Sequence, residues 1–399
     1  MRVSIRLNQK YIFNNQEKIY NKVEKNIYIT NVTSEKELKT FHNIPWIVYQ
    51  DDSYWVPPLW QELKTFFKTK NIFWNHAESQ LFIVYKNSRP VGRIAGIIDH
   101  ALNKSENNEK SIGYFGYFEC IHDYVIAQYL FDMVKKYLKE KKIALMRGPI
   151  DGRIDIRCGF LLNGYAQTPS IFSSYNPSYY IDFVKRYQMR KARDQYVYWL
   201  DLEKPIPSYL KDAADRCLKE GFTIRGFNKF HGKKEMDWWI SFMQKAFSFH
   251  WGYVTVSEDE VRNRFGVKYA RLIADTKLFL IAESPKGDRI AFKWSTPDYN
   301  QVLKKLNGNM GLLGIITFLL TQKSITQGRF NFVGIKKEFR GKKLGSAMNY
   351  WTMIEMKKRG YAGAECGWID EKNIASQKTI EKTGATLYKK YRVYEIKIE

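Results

Sequence analysis

Arg340-Gly341-Lys342-Lys343-Leu344-Gly345-Ser346 is the segment of this chain best suited to chemistry on an anion. It follows an apolar, strand-like stretch, Asn331 to Ile335. After it, Leu344, Ala347, Met348, Trp351 and Ile354 recur at helical spacing, which predicts a helix starting near Lys343. Backbone amides at a helix start lack intrahelical partners, and the macrodipole adds positive potential there. With Arg340, Lys342 and Lys343 beside them, the turn suits a pyrophosphate. An ordinary basic strand-to-helix turn is the alternative on these residues alone.

The carboxylates that could take a proton are Glu365, just before Cys366-Gly367-Trp368, Asp298 after a hairpin, and Glu119 at the end of an aromatic strand. Each has a structural alternative, as a hydrogen-bonded strand residue or a turn cap. His250 reads first as a core histidine and second as a base. Trp251, Tyr253 and Tyr299 could line an acyl or acceptor pocket or simply pack in a core. The six histidines form no HExxH pattern or close cluster, and Cys120, Cys158, Cys217 and Cys366 form no CxxC pair. The sequence thus argues for no metal site and for no disulfide framework, and a reducing cytoplasm is the simplest location.

A net charge of +24 is spread along the 399 residues. Such a surface attracts anions over long range: nucleotide cofactors, an acidic carrier protein, nucleic acid, an acidic peptide or anionic lipid. Residues 1 to 24 are polar and interrupted by charge, unlike a secretory signal. The longest apolar run, Leu312 to Leu320, is too short to span a bilayer and is expected to be a buried helix.

The elements that must position these residues read as mixed α/β, in two copies of one order. After an extension over residues 1–25, the first copy (26–200) has a strand at Ile27 and a capping box at Ser34 to Glu37. A hairpin through Lys86-Asn87-Ser88-Arg89-Pro90, a strand to Cys120, a helix from Tyr124 and a strand at Ile143 follow. The tract 201–207, containing Pro205 and Pro207, is the expected linker. The second copy (208–399) repeats the order, with its hairpin at Ser284-Pro285-Lys286-Gly287-Asp288 and its capping pattern at Ser257 to Glu260.

The Arg340 to Ser346 turn resembles motif A of the GNAT (GCN5-related N-acetyltransferase) acyltransferases, whose Arg/Gln-x-x-Gly-x-Gly/Ala loop binds the pyrophosphate of acyl-CoA. Arg340, Gly341 and Gly345 match, and Lys343 stands where the middle glycine is usual. Asn373 opening a helix that ends at Thr383-Gly384-Ala385 is similar to motif B, although its usual tyrosine falls at Ile380. Tyr388, Tyr391 or Tyr394 could substitute as the acid that protonates the thiolate. Pro57-Pro58, Gly148-Pro149, Tyr175-Asn176-Pro177, Trp251-Gly252-Tyr253 and Pro297-Asp298-Tyr299 resemble those of a two-module bacterial group of GNAT-like proteins.

The resemblance implies two tandem GNAT-like modules, the first degenerate, since Cys120-Ile121-His122-Asp123 offers no phosphate turn. It implies acyl-CoA as co-substrate, held by Val333, Ile335, Arg340, Gly341, Lys342, Lys343, Leu344, Gly345, Ser346 and Asn373. It implies direct N-acylation of a primary amine on a small molecule or peptide, with acyl carrier protein as another donor. A Fem-like aminoacyl-tRNA-dependent transferase, or a non-catalytic acyl-CoA-binding protein, are the competing expectations.

Overall fold

A computed structural model describes residues 10–13, 16–24, 26–104, 110–248, 250–265 and 275–399. Residues 1–9, 14–15 and 25 of the expected extension, and Phe249, lie outside them. The chain forms two compact units. The first comprises Met1–Arg193, Leu303–Thr317 and Tyr391–Glu399; the second comprises Asp194–Val302 and Phe318–Lys390. The 201–207 tract falls inside the second unit.

In the first unit, strands β1 (Tyr20–Glu24), β2 (Ile27–Asn31), β3 (Ala77–Lys86), β4 (Arg89–Asp99) and β5 (Ile112–Cys120) pair antiparallel in chain order. The strand β6 (Leu145–Gly148) then pairs parallel to β5. A short β7 (Phe160–Leu161) pairs with the chain's last strand. Alternation of apolar side chains puts Phe82, Val84, Ile94, Phe115 and Phe118 against helix Tyr124–Glu140, whose Leu130, Phe131, Val134 and Leu138 recur on one face. Gly113 lets that helix approach: a Cβ there would stand 2.3 Å from Leu138.

The second unit repeats the pattern. Strands β9 (Thr223–Gly226), β10 (Phe279–Glu283), β11 (Arg289–Pro297) and β12 (Gln327–Ile335) are antiparallel neighbours, and β13 (Gly363–Asp370) is parallel to β12. Strand β10 is buried on both faces. Leu280 and Ala282 meet helices Ser208–Lys219 and Leu344–Lys358, while Phe279 and Ile281 meet Trp239, Ile240 and Met243 of helix Gly232–Phe247.

Two strands cross the sequence boundary between the units. Residues 195–201 of β8 (Arg190–Asp201) pair with β13 in the second unit. Residues 394–397 of β14 (Thr386–Lys397) pair with β6 in the first. Each unit therefore takes its last strand from the other half of the sequence.

One expectation is overturned. Helix Leu312–Thr321 is not buried: it has no buried residue, and Leu312, Leu313 and Leu320 are at least 75% exposed. Apolar composition signals burial only if another element covers the face.

Candidate active site

The second unit contains a split in its sheet. β12 and β13 pair from Gln327/Gly363 to Phe330/Cys366 and no further, although β12 continues to Ile335. Its backbone from Phe332 to Ile335 remains paired to β11 on the other side, after a register shift at Asn331. Beyond Phe330, one edge of β12, including half-exposed Val333 and Ile335, thus has no strand partner among the described residues.

Immediately after β12, a 3-10 turn at Lys337–Phe339 leads into the Arg340 loop and helix Leu344–Lys358. Arg340, Gly341, Lys342 and Lys343 are all exposed. Lys343 is the N-cap, and its side chain makes no capping bond. Its φ is +66°, the left-handed backbone that glycine takes at no steric cost. Lys343 thus holds a backbone conformation that a glycine would adopt without strain. Gly341 has φ +83° and open space around it. At Gly345 a Cβ would meet only Ile335, at 3.5 Å. The loop is thus neither buried nor plugged by side chains.

The corresponding place in the first unit is chemically opposite. Helix Tyr124–Glu140 is N-capped by Asp123, whose carboxylate accepts the Val125 amide at 3.0 Å and pairs with Lys86 at 2.8 Å. A carboxylate already occupies the position an anion would take.

Aromatic side chains flank the split in the second unit. Phe332 stacks on Trp294 at 5.6 Å and meets Phe247 at 5.7 Å. Phe247 meets the His250 ring at 4.8 Å and Tyr253 at 6.4 Å. His250 Nδ1 is buried with no hydrogen-bond partner among the described residues. Desolvation pushes its pKa below the ordinary histidine value; Phe247 and Asp370 oppose the shift and Arg340 adds to it. The imidazole is therefore neutral at pH 7.

The carboxylates expected as bases have other partners. Glu365 is 1% exposed, accepting from Arg329 at 2.8 Å and Lys389 at 3.1 Å. Arg329 also donates to the Gly367 carbonyl at 3.0 Å. The three side chains join β12, β13 and β14, and a carboxylate held by two cations is a poor proton acceptor. Asp298 is 2% exposed and accepts the Asn300 amide at 3.2 Å, as a turn cap does. Asn373 caps helix Ile374–Glu381 through the Ser376 amide at 3.1 Å. Ile380 sits in the core at 7% exposure, so this helix offers no phenol there.

Of the pocket aromatics, Tyr299 is buried against Phe318, while Trp251 and Tyr253 are half-buried. Of the replacement tyrosines, Tyr391 and Tyr394 are core residues at 3% exposure, and Tyr388 is half-buried beside Trp199. Burial pushes the Cys366 thiol up to about 12, so no thiolate is available at the root of the split.

Glu119 belongs to the first unit. It lies in a cleft of about 90 Å³ with Trp55, Pro58, Asp151, Arg157 and Tyr175. Tyr180 donates to it at 3.0 Å, and Arg93 stands 3.7 Å away. Desolvation outweighs the cation and the phenols and raises its pKa to about 7. A raised folded-state pKa means that the native state holds this proton while the unfolded chain releases it above about 4.5. This group therefore erodes stability as pH rises from about 4.5 to 7, by about 3 kcal/mol at most. Glu119→Gln is expected to unfold at higher temperature than the parent at pH 8 and at nearly the same temperature at pH 4.5, which paired thermal melts would show.

Sequence reading passed over Lys293, which is 3% exposed on β11 with its ammonium 3.7 Å from the Phe330 ring centroid. A lysine inside the apolar run Ile290 to Trp294 was the available signal. Among the described residues, no group of three or more His, Cys, Asp or Glu side chains is placed to hold a metal.

No family model matches the chain. It is 28% identical to the "Bacterial ceramide synthase" of Caulobacter vibrioides over 91% of this chain and 96% of that protein. It is 26% identical to "Protein YghO" of Escherichia coli over 92% of this chain and 94% of that one. The solved structure of a tandem GNAT protein from the clavulanic acid biosynthesis pathway superposes with a TM-score of 0.54 at 8% identity, covering 94% of this chain and 99% of that chain. Together with the repeated split sheet, this likeness shows that the chain has the GNAT fold in tandem.

Proposed function

We propose that the protein transfers an acyl group from acyl-CoA directly to the primary amine of a long-chain amino alcohol, forming an amide. The observation that carries this reading is the exposed, basic Arg340–Ser346 loop, with no side-chain cap on its helix, beside the open edge of β12. The loop amides and Arg340, Lys342 and Lys343 take the pyrophosphate. The free edge at Val333 and Ile335 would take the amide-bearing arm of the cofactor.

Only a neutral amine attacks a thioester. His250 accepts the proton that the amine loses as its nitrogen bonds to the thioester carbon. The C–S bond breaks, and the thiolate leaves as CoA after protonation. Cys366, held as a thiol, takes no acyl group, which favours one-step transfer over an acyl-enzyme. The amine class is inferred from the ceramide synthase relative, because a ceramide is the N-acyl derivative of a long-chain amino alcohol. The aromatic wall of Trp294, Phe332, Phe247 and Tyr253 suits an apolar chain.

Thiol release from acyl-CoA, measured across acyl chain lengths and an amine panel, tests the reaction. Release with long-chain amino alcohols supports the proposal; release only with short polar amines, peptides, or an acyl carrier protein donor would overturn its substrate assignment. The cofactor site is tested separately by calorimetry with CoA. Arg340→Ala is expected to weaken CoA about tenfold through loss of one charge-assisted contact. Gly345→Ala separates ligand from fold. The added methyl meets no protein atom closer than 3.5 Å, so melting should not fall, while CoA affinity should drop as the backbone is kept from the phosphate. Unchanged affinity in both variants would remove the site.

A further inference from the structure

Helix Leu312–Thr321 has its polarity inside out. Leu312, Leu313, Ile315, Ile316, Leu319 and Leu320 are 45 to 79% exposed. The half-buried stripe at helical spacing is instead Gly314, Thr317, Phe318 and Thr321. A Cβ at Gly314 would stand 2.5 Å from the Asn309 carbonyl, so the backbone approaches closely there. Six contiguous aliphatic side chains in water form a patch at the upper end of what a monomer exposes, and patches of that kind mark interaction surfaces.

The charge around the helix identifies the partner. Between Asp298 and Glu338 the chain has no acidic residue, while Lys304, Lys305, Lys323, Lys336 and Lys337 fall in that interval. Lys305 and Lys323, which precede and follow the helix in sequence, are exposed. An apolar face bordered by cations matches an anionic bilayer, which offers acyl chains beneath a layer of phosphate. A second copy of the chain matches less well, because it would bring the same cationic borders together in a protein that carries +24. At ten residues the helix is about 15 Å long, half the hydrocarbon thickness, so it lies on a membrane and does not cross it.

We propose that helix Leu312–Thr321 docks the protein on anionic lipid bilayers, with its aliphatic face at the acyl-chain boundary and Lys305 and Lys323 at the headgroup phosphates. The proposal is independent of which amine the second unit acylates.

Flotation of the full chain with phosphatidylcholine vesicles, with and without phosphatidylglycerol, tests it. The protein is expected to float with the anionic vesicles and to bind them more weakly in high salt. Leu313→Ser with Leu320→Ser should reduce binding about tenfold or more without lowering the melting temperature, since both side chains are already in water. Lys305→Glu with Lys323→Glu should abolish the preference for anionic lipid. Failure of the parent to float with either vesicle, or equal flotation of the leucine variant, would overturn the proposal. So would a dimer in sedimentation analysis that the leucine variant dissolves while no vesicle binding is seen.

Discussion

His250→Ala is expected to lower kcat by about 10²- to 10⁴-fold, the range typical of a lost general base. CoA affinity should change little, because the imidazole acts on the amine and not on the cofactor. The pH profile gives the second readout. A base works deprotonated, so kcat/KM falls where His250 becomes protonated. Desolvation disfavours the imidazolium, and the fall should therefore come below the ordinary histidine range. In the alanine variant that acidic limb should disappear and the residual rate should climb with hydroxide and with the supply of neutral amine. Added imidazole should restore part of the rate, which a purely structural histidine would not allow. An unchanged kcat, or an unchanged acidic limb, would assign the base elsewhere.

The contrast between His250 and Glu365 shows where sequence reading stops. The sequence offered Glu365 as a candidate base and His250 first as a core histidine and only second as a base. What separates them is partners distant in sequence: Arg329 and Lys389, on neighbouring strands, reach Glu365 only through the register of β12, β13 and β14. Among the described residues, His250 Nδ1 makes no hydrogen bond with such a distant side chain. The elements themselves were far more legible. The apolar run along β10 and the turn residues of the two hairpins are local signals, and the structure places strands there. The Arg340 loop was legible for the same reason, since glycine and cations at a helix start are local. That Lys343 holds the left-handed conformation was not, because nothing in its neighbours' identities requires it.

Two further features depend on tertiary pairing alone. That residues 194–201 belong to the second unit and 391–399 to the first leaves no trace in residue type. The Leu312 helix misled because hydropathy records what a side chain prefers, not whether the fold supplies it. Its inverted stripe of Gly314, Thr317 and Thr321 was in the sequence, but only the structure shows which stripe faces inward.

Lys293 supports the second large effect, on stability. Its side chain is buried on β11 against Phe330, with no ion pair among the described residues, and desolvation lowers its pKa to about 7. The unfolded chain keeps this proton up to about pH 10.4, whereas the folded chain releases it from about 7 upward. The unfolded state thus binds more protons across that window, and stability rises with pH between about 7 and 10 on account of this group. At pH 7 and below the full penalty applies, on the order of 3 to 5 kcal/mol. Lys293→Met, unbranched and one atom shorter, carries no charge, so it should stabilise the protein by a few kcal/mol at pH 7 and progressively less toward pH 10. Lys293→Arg, the conservative change by charge, should do the opposite, because a guanidinium cannot shed its proton to escape burial. Denaturant melts of the three proteins at pH 7 and pH 9.5 would decide it: methionine above lysine above arginine, with the methionine–lysine gap narrowing at the higher pH. A lysine protein as stable as the methionine variant at pH 7 would mean that the ammonium is solvated in the native state.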